Sequence, residues 1–337
     1  MLRRILATPQ AGLVFVIVLL GAVLTLLAGQ HVDARTGASV NNFLNFYTLI
    51  QVATDASFFA IMAVGATIVI ISGGIDLSVG AIYALAGVTS ALVLRHLGDT
   101  GSTAFFVGLA ISVGVGLAAG LMNGALVVGL GVHPFIITLG TMWIVRGIAF
   151  VSSRAESILV PASLTAVAKA SLGLGDALYP VPMLVMGGVA LVGSVFLMRT
   201  VRGRQVFAVG GNAEASRFSG VPIGRVKILV FVISGLTAGL AAFLGASFYG
   251  SASCGDATGY ELYVIASAVV GGASLSGGKG SAISALLGAV LIVLIRQSIR
   301  TLHFDQNYEW IIIGSAIIIA VVLDQTSTRL AARSATN

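Results

Sequence analysis

The chain has 337 residues, 57% of them hydrophobic and only 9% charged, with a mean hydropathy of +1.05 and a formal net charge of +6. Soluble domains average about 25% charged residues, so the composition excludes a globule folded in water, and the positive surplus reads as basic cytoplasmic loops rather than a nucleic-acid surface. Apolar runs near the ~20 residues of a spanning helix recur throughout, which excludes a barrel of alternating strands.

The first run, Leu13 to Gly29, follows Arg3 and Arg4 and lacks a convincing small-residue cleavage site, so it reads as a retained helix rather than a signal peptide. Further spans are predicted at 57–72, 79–95, 103–130, 135–152, 181–198, 228–250, 262–275, 281–298 and 308–323, the eighth of these ten being short. The expected fold is all-α: one polytopic transmembrane domain over residues 1–337 with about ten helices. With the amino terminus inside, Arg3, Arg4, the basic residues of 199–227, Lys279, Arg329 and Arg333 fall inside, against Arg35, Arg95, Arg154, Lys169, Arg296 and Arg300 outside. That bias has the expected sign. Arg296 and Arg300 fit it poorly, so the topology after residue 262 is the least determined.

The second span ends in ISGGIDLSVG, Ile71 to Gly80, where Asp76 is the one acid. Gly73, Gly74, Asp76 and Ser78 read as a hinge between two helices. Ionisable residues inside a membrane mark binding sites or pathways by default, which makes Asp76 and Arg146 candidates and Asp55, beside a span, a weaker one. Three readings of Asp76 stand: a cap for the following helix, a gate or pathway group, and a direct contact to solute.

Residues 153–180 read as an external loop with a short surface helix. The segment 199–227 differs, with six basic residues and one acid, Glu214. In it Asn212 is a good N-cap, Ala213 to Ser219 make about two turns, Gly220 takes a left-handed stop and Pro222 prevents continuation. Ala213, Ala215 and Phe218 are available to dock on another protein, and Gly210 and Gly211 allow close backbone approach.

Internal repetition comes next, because duplicated halves are a sequence signature of transporters. GGIDLSVG at Gly73 to Gly80 matches GGASLSGG at Gly271 to Gly278, both reading GGxxLSxG, with Gly271 and Gly272 as the second hinge. The related stretch SLSGGK approaches a phosphate-binding loop, but Gly280 follows Lys279 and Ala273 replaces the first required glycine, so ATP binding by this chain is rejected. The lone Cys254 excludes an intrachain disulfide, and His31, His96, His133 and His303 are scattered without a catalytic arrangement. No enzyme is indicated.

Four blocks carry a family resemblance: AVGATIVIISGGIDLSVG, LMNGALVVGLGVHPFIITLGTMWIVRG, GRQVFAVGGNAEASRFSGVPIGRVK and VVGGASLSGGKGS. Together they resemble the permease subunit of ribose-type ABC importers, from about residue 45 to 325. The resemblance implies a multi-pass bacterial inner-membrane protein that pairs with an identical or paralogous permease. It also implies a periplasmic sugar-binding protein and a cytoplasmic ABC ATPase that holds ATP and Mg, with no cofactor in this chain. Residues 199–227 then resemble the coupling loop, with Arg204, Asn212, Glu214, Ala215, Arg217 and Phe218 facing the ATPase. Asn123, Thr138 and Thr141 either line the path or bond across helices. The expected cargo is a monosaccharide or small polyol. The alternative is an ion-coupled secondary transporter of a small hydroxylated solute, with Asp76 as its coupling carboxylate.

Overall fold

The computed structural model describes residues 9–32, 37–173 and 179–334. Arg3, Arg4 and Arg35 lie outside the described residues, as do the side chains of Arg329 and Arg333. In chain order the elements are α1 (Pro9–Leu27), a hairpin of β1 (Gln30–Val32) and β2 (Ser39–Asn41), α2 (Phe46–Ile71), α3 (Val79–Leu97), α4 (Ser102–Leu130) and α5 (Pro134–Ser153). There follow β3 (Ile158–Leu159), α6 (Ala162–Ala168), α7 (Val181–Arg199), α8 (Val201–Gly211), α9 (Ala213–Phe218) and α10 (Ile223–Tyr249). The chain closes with β4 (Ser251–Ala252), α11 (Tyr260–Val270), α12 (Ala282–Thr301) and α13 (Tyr308–Ser334).

Eight of the described helices are long and apolar enough to cross a membrane, and α11 and the first part of α13 are shorter apolar helices. Each of the ten predicted spans overlaps a helix, but the eighth, 262–275, runs past the end of α11 at Val270 into the glycine turn. The second starts at Phe46 rather than residue 57, because Asn45 Oδ1 accepts the Thr48 N–H at 2.8 Å and caps it there. The helix α8 was not anticipated, since its composition is mixed; Thr200 starts it by accepting the Gly203 N–H at 2.9 Å.

Contacts along the helices fix their directions. The helices α2 and α10 run antiparallel, with the ring of Phe58, midway along α2, 5.9 Å from that of Phe248 at the end of α10, and with Gly65, nearer the end of α2, against Ser234 and Thr237. The helix α3 runs parallel to α10, because Asp76 and Tyr83 meet Ser234 and Gly245 in that order, and α4 runs antiparallel to α10. In the second half α11 runs parallel to α2, with Tyr263 beside Phe59 and Ala268 clustered with Ile70, while α12 is antiparallel to α2, with Gly280 at Ile71.

The run α2–α3–α4 is therefore repeated by α10–α11–α12 in the opposite sense. The duplication expected from sequence is an inverted one, and its register differs from the motif match that suggested it. GGIDLSVG leads into α3, whereas GGASLSGG follows α11 and leads into α12. The two motifs share small residues because both are tight turns at the same end of the bundle, the end that holds α8 and α9.

The α4–α10 seam is built on glycine. A Cβ at Gly116, Gly120 or Gly124 would strike the backbone of α10 at Gly235, Phe231 and Ile228, and one at Gly235 or Gly239 would strike α4. Spacing of four puts these glycines on one helix face, and close backbone contact is how apolar helices associate where lipid removes the hydrophobic drive. At the other extreme, α1 is little buried and lies at the periphery of the bundle.

The misfit arginines also find their reason. Arg296 pairs with Glu309 at 2.7 Å and stacks over the Phe59 and Tyr263 rings, whose centroids lie 5.4 and 5.0 Å from its guanidinium carbon. Arg300 reaches Asp55 at 3.6 Å, and Gln51 donates to the same carboxylate. Charges paired within or at the edge of the helix bundle do not report on loop orientation, so these two arginines carry little weight in a count of basic residues per side.

Candidate transport site: two helix breaks and the loop end

The first break spans Ser72 to Ser78. Gly73 takes φ +83°, and the Ser72 hydroxyl donates to Val69 O at 2.7 Å, so the chain leaves α2 in a tight turn. Asp76 is only 1% exposed. Its Oδ1 accepts from the Ser78 N–H at 2.9 Å and the Ser78 hydroxyl at 2.6 Å, and its Oδ2 accepts from the Ser234 hydroxyl on α10 at 2.8 Å. The Asn123 amide on α4 donates to Ser78 Oγ at 2.8 Å, and Thr138 on α5 donates to the free carbonyl of Ile75 at 3.2 Å. Unwound backbone inside a membrane must find partners within the protein, and this network supplies them from three helices.

Asp76, Ser78 and Asn123 thus meet in one network, which Thr138 joins through the backbone; Thr141 donates to the Thr138 carbonyl. Asn123, Thr138 and Thr141 are 1%, 0% and 4% exposed, so in this conformation they face neighbouring helices rather than an open path. Asp76 holds the N–H of Ser78 itself, the residue at the N-cap position of α3, rather than a donor inside the helix. Ser234 was missed by sequence reasoning: a single serine in an apolar run gives no signal until its helix partner is known.

The second break lies between α10 and α11. Strand β4 pairs with β3, and the chain then turns through Ser253–Gly259, with Ala257 at φ 54° and Gly259 at φ 82°. Arg146 on α5 holds this turn by donating to the carbonyls of Cys254 at 2.8 Å, Asp256 at 2.6 Å and Ala257 at 3.3 Å. Arg146 therefore serves the second break and Asp76 the first. The two breaks meet at Gly80, where a side chain would collide with the Ala257 carbonyl and Glu261.

At the loop end, Gly210 of α8 packs so closely that a Cβ would land on Ile71 O, at the end of α2, and on the Gly278 N–H that donates to it at 2.8 Å. Gly277 and Gly278, both at positive φ, lie against Gly210 and Gly211. Gly271 leaves no room for a side chain against Ser284 O, and Gly272 makes the turn at φ +90°. One backbone crossing thus brings α8 against both GGxxLSxG turns, since a Cβ placed on Gly73 would come within 3.9 Å of the Gly210 Cα.

A family model described as "Branched-chain amino acid transport system / permease component" matches residues 48–322. The chain belongs to this permease family. It is 34% identical to the ribose import permease of Escherichia coli K12 over 84% of this chain and 87% of that protein. It is 36% identical to the D-allose transport system permease protein of the same strain, over 84% and 85% of the two chains. The L-arabinose ABC transporter permease of Azospirillum brasilense matches at 32% over 94% and 87%. The permease is a multi-pass protein of the bacterial inner membrane and a transport component rather than an enzyme.

In the permease the residues assigned from sequence to the loop end all sit at its surface. Arg204, Asn212, Glu214, Ala215 and Arg217 are exposed, and Phe218 is 85% exposed. The helix α9 is short but well terminated: Asn212 Oδ1 accepts the Ala215 N–H at 2.8 Å, and Gly220 takes φ +78°. Next to it a cleft lined by His133, Arg217 and Lys227 opens between the starts of α5 and α10.

Proposed function

We propose that the permease is the membrane-spanning subunit of an ATP-driven importer and forms the path for a monosaccharide or related small polyol delivered by a periplasmic binding protein. A second permease, identical or paralogous, completes the assembly. A cytoplasmic ABC ATPase binds and hydrolyses Mg-ATP, so the chain itself takes no cofactor. The ribose, allose and arabinose permeases among its relatives support the cargo class. The ion-coupled alternative draws no support from them.

The observation that carries the mechanism is the route from α9 to the breaks. Ala213, Ala215 and Phe218 leave apolar side chains exposed together on α9, which suits it to docking, and α8 just before it sets Gly210 against the end of α2 and the turn before α12. Closure of a docked ATPase biases inward and outward states only through contacts that differ between them. A rigid backbone crossing transmits such a shift to both halves of the inverted repeat.

Proline at Ala215 removes the N–H that Asn212 caps, a loss of about 1 kcal/mol in the cap alone. That variant, or joint replacement of Glu214 and Arg217, is expected to insert normally and to lose copurification of the ATPase. Undiminished copurification would remove α9 from the docking surface. Uptake that survives abolition of ATP hydrolysis and collapses with the ion gradient would overturn the importer reading itself.

A further inference from the structure

We infer that the turn Ser253–Gly259 is the solute-facing wall of the translocation path and that Arg146 is its positioning residue. This rests on the importer reading above and names where, within the protomer, the solute is met.

Depth comes first. Tyr260 and Tyr263, at the start of α11, pack on Phe59 at ring distances of 4.5 and 5.5 Å. Phe59 lies midway along α2, and the eleven residues of α11 rise about 16 Å, roughly half the hydrocarbon thickness. The turn before α11 therefore enters the bundle from the β3–β4 end and stops near mid-membrane.

Exposure follows. Gly255 and Thr258 are exposed, and Asp256 and Glu261 are half-buried. Lipid offers no partners to irregular backbone, so such a segment at this depth either packs against protein or faces water. Deeply buried Asn123, Thr138 and Thr141 offer no comparable surface.

Chemistry completes the case. The Arg146 guanidinium spends its donors on three main-chain carbonyls, and Asp256 Oδ2 accepts the Ser253 N–H at 2.8 Å, which fixes the turn while keeping it polar. The turn and the start of α11 gather the carboxylates of Asp256 and Glu261 and the Thr258 hydroxyl, which donates to Gly255 O at 2.7 Å, and such a polar stretch suits a solute rich in hydroxyls. It suits an aliphatic side chain poorly.

The test uses the full importer in proteoliposomes. Native Cys254 is buried, so the wild-type chain sets the labelling baseline. Thr258→Cys is expected to react with a charged, membrane-impermeant thiol reagent, with a rate that differs between nucleotide-free and vanadate-trapped complexes and with loss of uptake on labelling. Val192→Cys, on the exposed face of α7, is expected to react only with apolar reagents. Arg146→Lys, which cannot span three carbonyls, is expected to slow turnover roughly tenfold to a hundredfold, with ATPase association and binding-protein affinity unchanged.

Thr258→Cys that is silent to the charged reagent in both states places the turn under the second subunit or lipid and overturns the inference. So does full uptake after complete labelling. Failure of the importer reading would appear separately, as ATP-independent uptake by the wild-type complex.

Discussion

Leucine in place of Gly235 is expected to force α10 away from α4 and to give the largest loss of stability of any single helix-face change. A Cβ there already overlaps the Gly116 carbonyl, and the opposing Gly120 is seated equally close to the Phe231 carbonyl. Backbone cannot rotate aside as a side chain can, so the helices must separate. Overpacking commonly costs about 1–3 kcal/mol, and a contact that is backbone on both sides belongs at the upper end. The damage spreads because Ser234, the next residue, holds Asp76 across the first break. Thermal unfolding of purified protein in detergent should fall by several degrees for Gly235→Leu and for Gly120→Leu. Gly114→Leu on the same helix α4, where nothing lies within 4 Å, should be near neutral. Equal effects at Gly114 and Gly120 would show that the glycines act through helix propensity and not through the seam.

Asp76→Ala is expected to cost roughly 3–5 kcal/mol, since it strands three buried donors, two from Ser78 and one from Ser234, that the carboxylate now accepts. The loss of membrane-inserted, extractable protein should be obvious. Asp76→Asn keeps one oxygen for Ser78, and the Ser234 hydroxyl can rotate to accept from the new amide, so about 1 kcal/mol is expected. With the network kept, Asp76→Asn should also import at the wild-type rate. A well-folded Asp76→Asn protein without uptake would assign the negative charge to the transport cycle and not to holding the break.

Much of this architecture is legible in the sequence because a membrane enforces simple rules. Runs of apolar residues long enough to span must be helices; eight of the predicted spans are such helices, and the other two meet the shorter apolar helices α11 and the first part of α13. The Asn212 cap and the Gly220 stop were readable for a local reason: capping involves residues three apart and a single left-handed glycine. The start of α2 was misjudged because its first turns are polar enough to look like loop, and the cap that sets them, Asn45, stands outside the apolar run. Helix α8 was missed because an amphipathic surface helix carries no long apolar signal.

Long-range pairing was not legible. GGIDLSVG announced a break with an acid in it, but not that Ser234, far along the chain, completes the network. Arg146 announced a costly charge, and only the fold shows it satisfied by carbonyls of Cys254, Asp256 and Ala257. The glycine spacing in α4 and α10 is visible as a pattern, yet which helix each face meets depends on the order of packing.

The sequence by itself determined the solvent, the placing of the apolar helices, the tight turns at Gly73 and Gly271, and the capped helix at the loop end, all of which follow from local hydropathy and backbone chemistry. Only the tertiary structure decided that the halves are inverted, that Asp76 and Arg146 serve different breaks, and that the turn Ser253–Gly259 is held by a helix from the other half of the chain. Those facts depend on contacts between residues a hundred or more positions apart, where neither periodicity nor spacing along the chain carries the information.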